Sequence, residues 1–110
     1  MTSVCDTTIN AHELSTFADP AWQAIDVRSA TEFASGHIPA AVNIPMDEIE
    51  CRLADLRPGT RTVLVCQSGM RAGLTRDLLA NRVADLFVLG GGTDAWRAAG
   101  LPIVASTRSR

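Results

Sequence analysis

The feature that most constrains this chain is a cysteine between a strand pattern and a helix pattern. Thr62-Val63-Leu64-Val65 is an unbroken β-branched and apolar run, which is typical of a strand buried on both faces. Residues 72–80 carry leucines at helical spacing, which predicts a helix. These leucines are Leu74, Leu78 and Leu79. The loop Cys66-Gln67-Ser68-Gly69-Met70-Arg71 therefore joins a buried strand to a helix.

This location favours a reactive thiolate. The first N–H groups of a helix have no intrahelical partner and form its partially positive end, so a tight turn there can surround an anion. Arg71 adds a permanent cation, and Gly69 can take the positive φ that such a turn needs. Cys66 alone could be a small buried hydrophobic residue. Cysteine, glycine and arginine together favour an active loop in which Cys66 is the nucleophile.

Strand and helix patterns alternate along the chain. Strands are predicted at residues 7–9, 22–27, 42–44, 62–65 and 85–89. A first helix is predicted from the capping box at Asn10, with Leu14 and Phe17 on its apolar side, and it ends before Asp19-Pro20. A second helix is predicted from the capping box at Ser29 to Gly36. Further helices are predicted over Met46–Leu56, over 72–80 and from Thr93 to Gly100. This alternation predicts an α/β fold: a mainly parallel sheet of about five short strands with helices on both faces. Ligands bind at the carboxyl ends of such strands, where Cys66 lies.

Length and charge narrow the class of protein. With 110 residues the chain is expected to form one domain, 1–110. A net charge of −2 provides no basic surface for nucleic acid. All ten basic residues are arginine, which weakly suggests a GC-rich bacterial genome. No exposed heptad or obvious apolar patch is evident, so a monomer is expected.

The cysteines and the ends of the chain suggest a compartment. Cys5, Cys51 and Cys66 are odd in number and form no Cys-x-x-Cys pair, so a reducing compartment fits best. Without a leader or an apolar run of about 18 residues, the protein is expected to be cytoplasmic. Cys5 is assigned to a mobile N-terminus, and Cys51 is assigned a structural or solvent-facing position. The polar tail 104–110 leaves open a longer chain with a C-terminal membrane segment.

Three separate motifs carry a family resemblance. The first motif consists of Ile25-Asp26-Val27-Arg28, Glu32-Phe33, residues 36–41 and Asn43-Ile44-Pro45. The second motif is the Cys66–Arg71 loop. The third motif runs from Gly90-Gly91-Gly92 through Trp96 to Gly100-Leu101-Pro102. In this order they resemble rhodanese-type sulfurtransferase domains with a six-residue active-site loop, over about residues 7–103. Ala40 departs from the family, which usually has glycine there, and this is expected to alter a loop and not the chemistry.

The resemblance implies a sulfurtransferase. Cys66 would take a sulfane sulfur from thiosulfate or a persulfide, become a persulfide, and pass the sulfur to cyanide or a thiol. The N–H groups of Gln67, Ser68, Gly69, Met70 and Arg71 would hold the sulfur, and Arg71 would help hold an anionic donor. No cofactor and no metal is expected, and a protein sulfur carrier could be a partner. Because Arg71 is the loop's one cation, modest activity with thiosulfate is expected.

The remaining signature residues receive structural interpretations. Asp26 and Arg28 are expected to fasten the end of their strand to a neighbouring loop, and Glu32 is explained by its capping box. His37 is expected to be a hydrogen-bonded loop residue, and Trp96 a core anchor of the last helix.

Three other functions remain open. A phosphatase or arsenate reductase of related fold is disfavoured because those loops are one residue longer. A partner-binding domain without catalysis is the second alternative. The third is a sensor in which Cys66 is oxidised or nitrosated; no resolving cysteine is evident unless the fold brings Cys51 close.

Overall fold

The predicted alternation produces a five-stranded parallel sheet. A computed structural model describes residues 8–15 and 22–105. Within these ranges the strands are β1 (Thr8–Ile9), β2 (Trp22–Asp26), β3 (Val42–Asn43), β4 (Arg61–Val65) and β5 (Leu86–Leu89). Their order across the sheet is β1-β5-β4-β2-β3, and all four pairings are parallel. The predicted α/β class and the parallel sheet are therefore confirmed.

Helices cover both faces of the sheet. They are α1 (Ala11–Ser15), α2 (Ala30–Ser35), a 3₁₀-helix (Ile49–Asp55), α3 (Met70–Leu79) and α4 (Gly92–Ala98). Successive side chains of a strand point to opposite faces, so β4 contributes Leu64 to one apolar cluster and Val63 to the other. The first cluster includes Leu79 of α3, and the second includes Trp96 of α4. None of the helices in the described ranges has the length and apolar character needed to span a bilayer.

Both predicted capping boxes are present. The Asn10 side chain accepts from the N–H of Glu13 at 2.7 Å, and the Glu13 carboxylate accepts from the N–H of Asn10 at 2.9 Å. Ser29 and Glu32 form the same reciprocal pair at the start of α2, which ends at Gly36 as predicted. The predictions that concern Cys5, Thr7, Phe17 and Asp19-Pro20 lie outside the described residues.

The amphipathic helix predicted over Met46–Leu56 is present over the shorter range Ile49–Asp55 and is a 3₁₀-helix. The segment contains a turn followed by the 3₁₀-helix, which is broken at Arg52, where φ is −119° and ψ is 24°. Its backbone hydrogen bonds connect residues three apart, as in the N–H of Leu56 to the carbonyl of Leu53 at 3.1 Å. Ile49 is nonetheless fully buried. The apolar residues recur at intervals of three and four, which fits either type of helix.

The helix after the cysteine loop does not bury the face that carries Leu74 and Leu78, the leucines whose spacing predicted it. Its buried residues are Ala72, Thr75 and Leu79. Leu74 and Leu78, which supported the prediction, are 57% and 47% exposed. The loop fixes the rotation of α3 because the helix begins in it, and small residues at 72 and 75 allow close packing on the sheet. Helical spacing therefore identified the helix but not its buried face.

The exposure of these leucines leads to a stability prediction. Leu74→Ser and Leu78→Ser should each lower the free energy of unfolding by about 0.5–1.5 kcal/mol, because only about half of each side chain is buried. Urea unfolding at equilibrium measures this. Leu79→Ser is the matched control at a fully buried position and should lose clearly more. An equal loss at 74 and 79 would show that α3 buries a different face.

The backbone at Thr93 differs from the sequence prediction, and the backbone at Ala40 explains a departure from the family pattern. Thr93 does not cap α4: the helix begins at Gly92 after Gly91 in the left-handed conformation, and the buried Thr93 hydroxyl has no hydrogen-bond partner within residues 8–15 and 22–105. Ala40 has a φ of 71°, a conformation that favours glycine. The family's usual glycine at this position is thus explained by backbone geometry.

Candidate active site

Cys66 lies at the carboxyl edge of the sheet, where three sequence motifs meet. It directly follows β4, which is paired with β2 on one side and β5 on the other. Arg28 lies just beyond the end of β2, and Gly92 lies just beyond the end of β5. Parallel strands bring these segments to the same edge, which is where such sheets bind ligands.

The Cys66 sulfur is surrounded by backbone donors. In the described part of the chain, Sγ accepts hydrogen bonds from the N–H of Gly69 at 3.0 Å and the N–H of Ala72 at 3.3 Å. Gly69 has a φ of 106°, so glycine provides the turn that the loop needs. Ala72 lies outside the six-residue loop and was not predicted as part of the site. Its place in the first turn of α3, where N–H groups lack intrahelical partners, was the available signal.

The start of α4 holds the other side of the loop. The N–H of Thr93 donates to the carbonyl of Cys66 at 2.8 Å, and the N–H of Asp94 donates to the carbonyl of Gln67 at 3.0 Å. A Cβ on Gly92 would lie only 2.3 Å from the carbonyl oxygen of Cys66. The glycine-rich third motif thus allows α4 to approach and clamp the cysteine loop. The sequence placed this motif in the family resemblance and at the start of a helix, but did not indicate its contact with the cysteine loop.

The side chains of the loop differ in exposure and in partners. The Gln67 carboxamide accepts from Nη1 of Arg28 at 3.3 Å and donates to the carboxylate of Asp94. Ser68 is exposed, and Met70 is 74% exposed. Gln67 therefore links segments that follow β2 and β5, whereas Ser68 and Met70 face solvent at the entrance to the site.

Arg71 forms an ion pair that the sequence analysis missed. Its Nη1 and Nη2 donate to the two carboxylate oxygens of Glu32 at 2.8 and 3.0 Å. These bonds, with one from the backbone of Ser29, lower the pKa of Glu32 to about 2. The pKa of Arg71 is raised, chiefly by the hydrogen bonds to Glu32. Glu32 thus has a second role beyond its capping box, because it holds the guanidinium that closes the loop.

Asp26 and Arg28 form a buried pair beside the loop. The Asp26 carboxylate is 0% exposed and the Arg28 side chain 3% exposed. Nη2 of Arg28 donates to Oδ2 of Asp26 at 2.8 Å and to the carbonyl of Gly36 at 2.8 Å. Arg28 therefore connects the end of β2 to two loops: the one after α2 and, through Gln67, the cysteine loop.

His37 lies in a hydrogen-bonded turn. Its Nδ1 is 2.7 Å from the carbonyl of Phe33, and the two rings stack with centroids 3.7 Å apart. Its backbone exchanges hydrogen bonds of 2.8 and 2.9 Å with Val104. Each of these contacts fixes the turn after α2.

The arrangement suits a sulfur anion. Both donors to Sγ are backbone amides, which stabilise negative charge without giving up a proton. Cys51 is exposed, and both it and Cys66 are free thiols. Among residues 8–15 and 22–105, no three His, Cys, Asp or Glu side chains converge as a metal site requires.

Comparisons with known proteins agree with this geometry. Residues 10–99 match the family model described as the rhodanese-like domain. A protein of Allochromatium vinosum named sulfurtransferase is 35% identical over 82 residues, covering 74% of this chain and 77% of its own length. The uncharacterized protein YqhL of Bacillus subtilis is 36% identical over 75 residues; the match covers 67% of this chain and 60% of that protein. A crystal structure of a rhodanese-related protein from Thermoplasma volcanium superposes with a TM-score of 0.82 at 27% identity, covering 88% of this chain and 96% of the other.

Proposed function

This chain belongs to the rhodanese-like domain family, and we propose that it is a sulfurtransferase that carries sulfane sulfur on Cys66. The observation that carries the proposal is the cysteine sulfur held by the N–H groups of Gly69 and Ala72 at the start of α3. Helix N-termini favour thiolates and other anions. The same donors would stabilise the terminal sulfur of a persulfide anion by electrostatics.

The reaction proceeds in two half-reactions. The Cys66 thiolate attacks the sulfane sulfur of the donor, a new S–S bond forms, and the donor's S–S bond breaks. The electron pair leaves with sulfite when the donor is thiosulfate, or with a thiolate when it is a persulfide. A thiophilic acceptor then attacks the outer sulfur: cyanide gives thiocyanate, a thiolate gives a new persulfide, and the Cys66 thiolate is restored. A covalent enzyme intermediate of this kind predicts ping-pong kinetics.

The proposed setting follows from the chemistry. A persulfide carrier needs an environment that keeps thiols reduced, and both described cysteines are free. We therefore place the activity in the cytoplasm, with a low-molecular-weight thiol or a protein sulfur carrier as acceptor.

The test is the intact mass of the protein after incubation with thiosulfate or an organic persulfide. We expect the wild type to gain one sulfur atom and Cys66→Ala to gain none. Because two oxygen atoms have nearly the same mass as one sulfur, the loaded protein is then treated with cyanide. Cyanide should remove the added mass and release thiocyanate, whereas a sulfinic acid on Cys66 would remain.

The matched control for this test is Cys51→Ala, which removes the exposed thiol and should load normally. If the wild type gains no sulfur from either donor, the transfer chemistry is absent. A thiol sensor or a partner-binding domain would then explain the chain better.

A further inference from the structure

The loop's one cation is neutralised from outside the loop. Arg71 is the single charged residue between Cys66 and the end of the loop, and Glu32 binds its guanidinium through both carboxylate oxygens. Such a two-point contact fixes both the position and the orientation of the guanidinium. The loop therefore presents its donors to a ligand with little net positive charge.

Glu32 is held by several hydrogen bonds and is charged. Its Oε1 accepts from the N–H of Ser29 at 3.1 Å as well as from Arg71, and its own N–H donates to the Ser29 hydroxyl at 3.2 Å. Because hydrogen bonds lower its pKa to about 2, the carboxylate stays ionised at neutral pH. The carboxylate that pairs with Arg71 therefore carries its charge under the conditions of the assays.

The charged side chains that connect to the loop through Gln67 add no net positive charge. Arg28 is paired with the buried carboxylate of Asp26. Asp94 faces the loop from α4 and accepts a hydrogen bond from the uncharged Gln67. The three carboxylates and two guanidinium groups joined by these contacts sum to a charge of −1.

We propose that Glu32 determines donor specificity by neutralising Arg71, so that the site disfavours the dianion thiosulfate and prefers sulfane donors of lower charge. This inference rests on the proposed sulfurtransferase function. A guanidinium still offers hydrogen bonds when it is paired, since a two-point contact uses only two of its five N–H groups. The donors that fit best are monoanionic, such as the persulfide of a thiol carried by a small molecule or by a protein.

A matched pair of donors tests the proposal. Methanethiosulfonate resembles thiosulfate but has a methyl group in place of one anionic oxygen. Glu32→Gln removes the carboxylate charge and keeps a residue that can form the capping box with Ser29. The readout is the second-order rate constant for sulfur loading of Cys66, followed by intact mass. We expect loading by thiosulfate to rise about fivefold in the variant, and loading by methanethiosulfonate to change by less than about twofold.

Two controls separate charge from structure. The double variant Glu32→Gln/Arg71→Gln should lose the gain with thiosulfate, because the released guanidinium is its source. Ser29→Ala removes the hydroxyl of the cap and leaves the ion pair, so its ratio of the two rate constants should equal that of the wild type. An equal change with both donors in Glu32→Gln, or a gain that persists in the double variant, would overturn the inference.

The wild type provides a test that does not depend on a variant. Salt screens the attraction between opposite charges, so a site with net positive charge would load thiosulfate more slowly as ionic strength rises. We expect the wild-type rate to be flat or to rise, and a steep fall would contradict the inference. If the wild type gains sulfur but the ratio of the two rate constants is the same in Glu32→Gln as in the wild type, only this inference is rejected. If no donor loads sulfur onto the wild type, the proposed function itself is rejected.

Discussion

Gly92→Ala should lower the free energy of unfolding by about 2–5 kcal/mol and disable the cysteine loop. Gly92 has a φ of 59°, and forcing a residue with a Cβ into that region costs about 1–2 kcal/mol. The added Cβ would also lie 2.3 Å from the carbonyl oxygen of Cys66 and 2.7 Å from that of Gln67. Overpacking of this kind costs about 1–3 kcal/mol, and backbone cannot rotate away as a flexible side chain can.

The same clash should also slow the chemistry. Relief requires α4 and the loop to separate, which lengthens the 2.8 Å hydrogen bond from Thr93 to the Cys66 carbonyl. A displacement of about 1 Å at a reacting group can cost about 100-fold in rate, so we expect sulfur loading to fall by about that factor. Urea unfolding measures the first effect, and the rate of sulfur gain under folding conditions measures the second.

Two other glycines provide matched controls for this substitution. Gly73 lies in α3 with open space around its Cβ position, so Gly73→Ala should stabilise the protein by up to about 1 kcal/mol. Gly59 has a φ of 72°, and a Cβ added there would meet no described residue within 4 Å other than its two chain neighbours, so Gly59→Ala isolates the cost of the left-handed backbone. If Gly92→Ala cost no more than Gly59→Ala, the close approach of α4 to the loop would be unimportant.

The fold was largely accessible from sequence because its signals are local. The run Thr62–Val65 predicts a strand without knowledge of its partners, and the capping boxes at Asn10 and Ser29 are complete within four residues. The strand order was not accessible, since pairing β5 between β1 and β4 depends on contacts across the whole chain. The type of the 49–55 helix also escaped prediction, because apolar spacing is nearly the same in 3₁₀- and α-helices.

In the candidate site, too, local features could be predicted from sequence and long-range contacts could not. The cysteine loop could be predicted because nucleophile, glycine and cation lie within six residues. The ion pair between Arg71 and Glu32 spans 39 positions, and nothing in the spacing of either residue indicates the other. The close approach of Gly92 to the Cys66 carbonyl could not be predicted either, because these residues are far apart in the sequence. Sequence thus indicated the cysteine that we propose as the nucleophile, whereas the groups that hold its loop required the fold.

Arg28→Met should cost about 3–5 kcal/mol, because it leaves the fully buried Asp26 carboxylate without its cation. The substitution keeps much of the side-chain volume, so the loss reports the uncompensated charge more than a cavity. It also removes the donor to the Gly36 carbonyl, which lies 2.8 Å from Nη2. Since single domains are stable by about 5–15 kcal/mol, this one change could consume much of the total.

A double-mutant cycle separates the charge from the shape. Asp26→Asn/Arg28→Met removes both charges and should cost less than the sum of the two single variants, with a coupling energy of at least about 1 kcal/mol. Arg28→Lys keeps a cation but not the planar fork that reaches Asp26 and Gly36 together, so it should fall between wild type and Arg28→Met. Urea unfolding with a common m-value gives the free energies of the wild type, the two single variants, the double variant and Arg28→Lys. If the losses of free energy in the two single variants were additive, Arg28 would stabilise the chain through its contacts with Gly36 and Gln67. Asp26 would then be stabilised by other groups, such as the backbone N–H of Arg28, which donates to its Oδ1 at 3.0 Å.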